Sequence, residues 1–190
     1  GGWKPTVNNN RNEMAAYGYR RAFNSVKQSI EAIFDGGNPG SVARVHHHDW
    51  FSELFSASVE SGILEPVDLM GYRTIQVYIG GAKHVPPNVH ALRDVMPTLF
   101  DLLEKEPEAA VRAVLGHFIF VYTHPYFDGN GRIGRFLMNA MLTSGGYQWT
   151  VIPVEKRDDY IVALEAASTE KNIKPFAKFI ADLIPQSNTL

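Results

Sequence analysis

Apolar side chains recur at Tyr19, Phe23, Val26, Ile30 and Ile33, a spacing of three or four residues that marks one face of a helix. This pattern predicts a helix over 11–34, closed by Asp35, Gly36 and Gly37. A second helix is expected from about 47 to 61, with Trp50, Phe51, Leu54 and Phe55 on one face and Gly62 as the stop. The period then changes. Ile75, Val77 and Ile79 alternate along 74–79, Gly80 and Gly81 interrupt, and 82–85 can return as a second short strand. Pro86 and Pro87 suit the opening of a helix that runs to about 104. Residues 107–122 are the most apolar stretch, with Ala110, Val111, Val114, Leu115, Phe118, Ile119 and Tyr122 covering more than one face, which predicts a centrally buried helix. Pro125 ends it, because a proline pushes its predecessor away from helical angles. Ile133, Phe136, Leu137, Ala140 and Met141 mark a further helix closed by Gly145 and Gly146, and two more are expected near 156–167 and 173–184. The predicted architecture is all-α with one small β-hairpin.

Composition narrows the function classes. The chain has 190 residues, enough for one domain with a hydrophobic core, and its 45% apolar and 20% charged content is ordinary for a globular protein. A net charge of -2 gives no general attraction to nucleic acid or anionic membranes. The absence of cysteine excludes disulfides and thiolate metal sites and accords with a reducing, cytoplasmic setting, although a secreted effector would have the same composition. No apolar run has the length of a membrane span. Gly1 and Gly2 read as a cleavage scar, so 1–10 is expected to be a tag remnant or linker, 11–185 a single domain and 186–190 a tail.

The chemistry concentrates in HPYFDGNGRIGR, residues 124–135. The following helix is expected to start near Arg132, placing Arg132 and Arg135 in its first turn. A helix N-terminus carries partial positive charge and free N–H groups, so two arginines there oppose the dipole unless a strong anion neutralises it. Gly129 and Gly131 let the backbone approach such an anion closely. The combination predicts phosphate. A P-loop lacks its lysine and hydroxyl here, an EF-hand starting at Asp128 would meet Ile133 and Asn139 where it needs glycine and glutamate, and a dinucleotide fingerprint needs a preceding strand. A plain capped turn would explain Asp128 and Gly129, yet neither His124 nor the arginine pair. The run His46, His47, His48 lacks a metal-binding spacing and is expected to be a solvated helix start. His84, His90 and His117 have no motif around them and are assigned to structure or surface.

The twelve-residue string resembles the signature of the Fic family, His-Pro-Phe-x-Asp/Glu-Gly-Asn-Gly-Arg-x-x-Arg, departing only at Tyr126. The segments GYRTIQVYIGGAKHVPP, RDDYIVALEAAS and NIKPFAKFIADL resemble the family's flap hairpin and C-terminal helices, so the likeness covers about 12–184. It implies a Fic-type helical bundle and transfer of AMP from ATP to a Ser, Thr or Tyr hydroxyl of a target protein, releasing pyrophosphate. By that resemblance His124 is the general base and Asp128 the Mg²⁺ ligand. Gly129, Asn130 and Gly131 form the anion-binding loop, and Arg132 and Arg135 hold the β- and γ-phosphates. The flap, Val77, Tyr78, Ile79 and Gly80, would border the nucleotide and pair with an extended segment of the target, and simple cover for the core is its competing role. Tyr160 lies where the family lines the adenine pocket, with Ser168 where some relatives have an asparagine. Self-modification is a further expectation. Many relatives silence themselves with a Ser/Thr-x-x-x-Glu-Gly/Asn helix whose glutamate pairs with the residue equivalent to Arg135. The only near match, residues 56–61, reads as chance, and such a helix is expected upstream. Other group transfers within the family (phosphoryl, UMP, phosphocholine, removal of AMP) and a non-catalytic nucleotide-binding module are the alternatives.

Overall fold

A computed structural model describes residues 11–184. The expected tag remnant or linker at 1–10 and the tail at 186–190 lie outside the described residues. The chain forms α1 (Arg11–Phe34), α2 (Pro39–Glu60), α3 (Leu92–Lys105), α4 (Ala109–Thr123), α5 (Asn130–Ser144), α6 (Arg157–Thr169) and α7 (Lys174–Leu183), joined by short 3-10 turns at Pro66–Leu69, Val89–Ala91 and Val154–Lys156. α1 pairs with α2, α2 with α3 and α5, and α4 lies between α5 and the α3, α6 and α7 side.

α1 is bounded as its apolar period predicts, but small residues make its contact seam. Gly18, Ala22 and Ser29 are buried, and Trp50 Nε1 donates to Ser29 Oγ at 3.0 Å. α2 starts well before residue 47. Asn38 caps it, its side chain accepting from the N–H of Ser41 at 3.1 Å, and Pro39 occupies the first turn, where a missing N–H costs nothing. Small residues there weaken the apolar period. Gly40 is small because α3 needs the space: a Cβ on it would lie 2.3 Å from the Glu104 nitrogen.

This longer α2 corrects the expectation of a solvated histidine run. His47 is buried mid-helix, with Nε2 2.9 Å from the Tyr72 hydroxyl and its ring 4.6 Å from that of Phe100. Burial holds its pKa down to about 4, so the ring is neutral. Among the described residues no cluster of three or more His, Asp or Glu could hold a metal.

The most enclosed helix is α5, whose Ile133, Phe136, Leu137, Met138, Ala140, Met141 and Leu142 are all buried. α4, the expected centre, leaves Val111 37% and Leu115 38% exposed. Its buried face is instead made by Ala113, Gly116, His117 and Phe120. Apolar content alone overstates its enclosure.

The expected hairpin over 74–85 is not formed, and there is no strand among the described residues. The segment is extended with one turn, Ala82 N–H donating to Ile79 O at 3.1 Å. Side chains take the place of a ladder. Arg73 donates to Ile75 O and Pro87 O, and Gln76 Nε2 donates to Pro86 O at 2.9 Å. The returning arm ends in Pro86 and Pro87, which have no N–H to donate to a partner strand.

Candidate active site

His124 caps the C-terminal end of α4 in the left-handed region, φ 51 and ψ 58. Its Nδ1 lies 3.2 Å from Val121 O. A carbonyl only accepts, so this contact fixes the proton on Nδ1 and leaves the Nε2 lone pair available. Burial holds the pKa below the usual value, with the Arg73 charge acting the same way, against the contact to Val121 and the Asp128 carboxylate. The ring is therefore a neutral base at physiological pH.

Gly129, at φ 78, is the N-cap of α5, so the helix begins at Asn130 rather than near Arg132. The reason is Asn130 itself. Its side chain turns inward, accepting from Tyr126 N–H and donating to Tyr126 O, both at 2.9 Å, which closes the loop into a turn before the helix. Arg132 consequently sits in the first turn, and Arg135 lies one turn further on. The N–H groups of Asn130 and Gly131 are among the first of the helix and have no intrahelical acceptor. α2 supports the loop from behind, since a Cβ on Gly129 would lie 2.9 Å from Leu54 Cδ2 and 3.1 Å from Phe55.

Tyr126, the one departure in the motif, is 1% exposed. Its ring stacks on Phe51 with centroids 3.9 Å apart, and its hydroxyl lies 3.4 Å from His48 Nδ1. That hydrogen bond is long, so Tyr126→Phe should cost less than about 1 kcal/mol. A thermal melt within roughly 4 °C of the parent would agree, and a larger drop would mean that the hydroxyl matters more than its geometry implies.

His124, Gly131, Arg135, Tyr160 and Ile79 line one cavity of about 270 Å³. Arg135 forms none of the ion pairs found among the described residues. Asp128 and Arg132 meet each other at 3.4 Å beside this cavity's loop, and the Arg132 guanidinium lies 5.3 Å over the Phe55 ring. Asp128 Oδ1 accepts from Gly129 N–H at 2.6 Å. Val77, Tyr78 and Gly80 do not line the cavity, and Tyr78 is 76% exposed. Tyr160 lines it while its hydroxyl sits 2.8 Å from buried His117 Nε2. Glu60 pairs with Arg21, so the chance reading of 56–61 agrees with its placement.

Other lining residues carry no motif. His84 joins the wall with its ring stacked on Tyr122 at 3.9 Å. From α6 come Arg157, Ile161, Leu164, Glu165 and Ser168. Their spacing of three or four residues was the available signal, because one face of a helix makes that wall. Lys83 N–H reaches the Glu165 carboxylate at 3.2 and 3.3 Å, tying the extended segment to α6.

Among solved structures, Fic-1 (residues 134–508) of C. elegans shares the fold with a TM-score of 0.71 and 22% identity, over 89% of this chain and 47% of that one. BepC of Bartonella tribocorum, solved with bound AMPPNP, gives 0.61 and 15% over 94% and 90%. The protein adenylyltransferase Fic of Drosophila willistoni is 39% identical over 125 residues, which is 64% of this chain and 24% of that protein. Its Drosophila grimshawi counterpart is 38% identical over 125 residues. The chain thus spans about a quarter of the length of the curated relatives it matches. The profile of the Fic/DOC family matches residues 42–142, which include the whole loop from His124 to Arg135, and the chain belongs to that family.

Proposed function

We propose that this chain transfers AMP from ATP to a hydroxyl of a protein. The observation that carries the reading is the shared cavity, where a neutral histidine, a glycine at a helix N-terminus and Arg135, which has no carboxylate partner among the described residues, meet. A hydroxyl oxygen attacks the α-phosphorus, the bond to the β-phosphate oxygen breaks, and pyrophosphate leaves. The hydroxyl proton passes to His124 Nε2. The N–H groups at the start of α5 stabilise the negative charge on the α-phosphate. Arg135, with Arg132 beside the loop, holds the terminal phosphates as a forked donor. Names of relatives support the same chemistry, since the Drosophila proteins are named protein adenylyltransferases.

The donor set suits Mg²⁺. Asp128 presents one carboxylate whose side chain is 65% exposed, on the same loop as the anion-binding N–H groups. Mg²⁺ is commonly held by one or two carboxylates together with phosphates and water, so Asp128 would hold it and the ion would offset phosphate charge. The extended stretch from Val77 to Gly80, where Tyr78 and Gly80 are exposed and Val77 and Ile79 half-buried, is the part of this reading that would meet the target protein, by pairing with an extended strand.

The test supplies the protein with ATP labelled at the α- or γ-phosphate, Mg²⁺ and a cell lysate. Label transferred only from the α-position agrees with AMP transfer. Label only from the γ-position would establish phosphoryl transfer instead. Arg135→Gln should raise the KM for ATP roughly 10- to 100-fold, the equivalent of losing one charged hydrogen-bonding partner at about 1.5–3 kcal/mol.

A further inference from the structure

We infer that Arg73 is a positioning residue for the reaction, a strut that holds the backbone of His124 and both ends of the extended segment in one arrangement. The inference rests on the proposed role of His124 as base. Arg73 is 6% exposed and forms no ion pair with a carboxylate among the described residues. Its donors go to main-chain carbonyls: Nε to His124 O at 2.8 Å, Nη1 to Ile75 O at 2.9 Å, and Nη2 to Pro87 O. Its own N–H donates to Pro125 O at 2.8 Å. A buried guanidinium is costly unless its hydrogen bonds are met, and here they are met by the peptide groups that need fixing.

His124 needs such support. A non-glycine residue in the left-handed region is disfavoured by about 1–2 kcal/mol, and a following proline draws its predecessor toward extended angles. The Arg73 bonds to His124 O and Pro125 O hold that peptide from the far side of the chain, 51 residues away in sequence for the side-chain bond. The positive charge also lies against the carbonyl end of α4, where a cation is favourable. Removing the guanidinium frees His124 to relax toward extended angles, which carries the imidazole away from Val121 O. The contacts that shape the arms leading to Ile79 and His84 loosen at the same time, because Ile75 O and Pro87 O lose the same donor.

The experiment compares Arg73→Met and Arg73→Lys with the parent, each checked for helical circular dichroism and cooperative melting. Nitrogen-15 spectra of labelled histidine read the His124 tautomer without needing activity. The parent should show the Nδ1-protonated form, Arg73→Met an average of both tautomers, and Arg73→Lys a signal nearer the parent. In the transfer assay Arg73→Met should lower kcat at least tenfold while the KM for ATP moves less than threefold, and Arg73→Lys should recover part of the rate. A folded Arg73→Met protein with parental His124 signals would overturn the inference whatever its rate. Should Arg73→Met not fold, Arg73→Lys decides by the same spectra: one ammonium cannot replace three donors, so a detectable admixture of the second tautomer supports the strut and fully parental signals overturn it. A parent that transfers no AMP would defeat the proposed function, and the spectra would still judge the strut.

Discussion

Replacing His124 with alanine should lower the rate of AMP transfer by about 10²–10⁴, the usual contribution of a positioned general base. The KM for ATP should change little. Gly131 and Arg135, which in the proposed reading hold the phosphates, are untouched, and in that reading the Nε2 lone pair serves the attacking hydroxyl rather than the nucleotide. The parent should also lose rate as acid protonates this ring. Burial, and then the Arg73 charge, hold its pKa below the ordinary value of about 6.5, so the neutral base persists below that pH. The rate should stay level down to about pH 6.5 and fall only as pH drops through the lowered pKa. The alanine variant should show no such limb. A residual rate within threefold of the parent, or an acid limb that survives in the variant, would remove His124 from the role of base.

The second large effect lies far from the chemistry in sequence. Gly18→Ala should destabilise the fold by about 3 kcal/mol, the upper end of the range for overpacking. A Cβ there would sit 2.1 Å from Leu54 O and 2.8 Å from Leu54 C, and both are backbone atoms that no rotamer change can move aside. α1 must therefore lift from α2. The strain reaches the site directly, because Leu54 and Phe55 are the residues packed behind Gly129. A thermal midpoint roughly 6–12 °C lower is expected for a domain of this size, with a reduced transfer rate even below the melting range. Gly80→Ala is the control, since nothing lies within 4 Å of its added carbon. If the two variants melt together, close helix approach at Gly18 is not what limits stability.

These two residues differ in how readable they were. His124 was legible because it stands among several unusual residue types within twelve positions, and few chemistries besides phosphate handling require them together. Gly18 was not, because an apolar period counts large side chains and passes over the small ones that let helices touch. The same bias displaced the start of α2. Asn38 and Pro39 are good capping signals, but the apolar face begins later. His47 could not be told from a solvated residue without knowing that α2 extends on both sides of it. The hairpin failed for a different reason. Alternation over 74–79 correctly predicts an extended backbone, but on the returning arm the N–H groups of Ala82 and Lys83 go to Ile79 O and to Glu165, and Pro86 and Pro87 have none, so no ladder forms. Of the two motif arginines, Arg132 alone opposes the dipole of α5 from its first turn. Asn130 starts α5 two residues early and shifts Arg135 out of that turn. Asp128 moreover supplies part of the countercharge for Arg132.

The tie between Lys83 and Glu165 joins walls of the cavity that lie 82 residues apart, and that distance bears on when the cavity can form. The phosphate loop is local and closes through Asn130 over four residues. The far wall of the cavity is α6, which leaves the ribosome after the loop and the whole of α5. During synthesis the loop can therefore take shape well before there is a pocket to hold a nucleotide against it. A chain stopped before α6 should carry the whole signature and still be silent, so the proposed transfer activity would arrive later in translation than the motif that marks it.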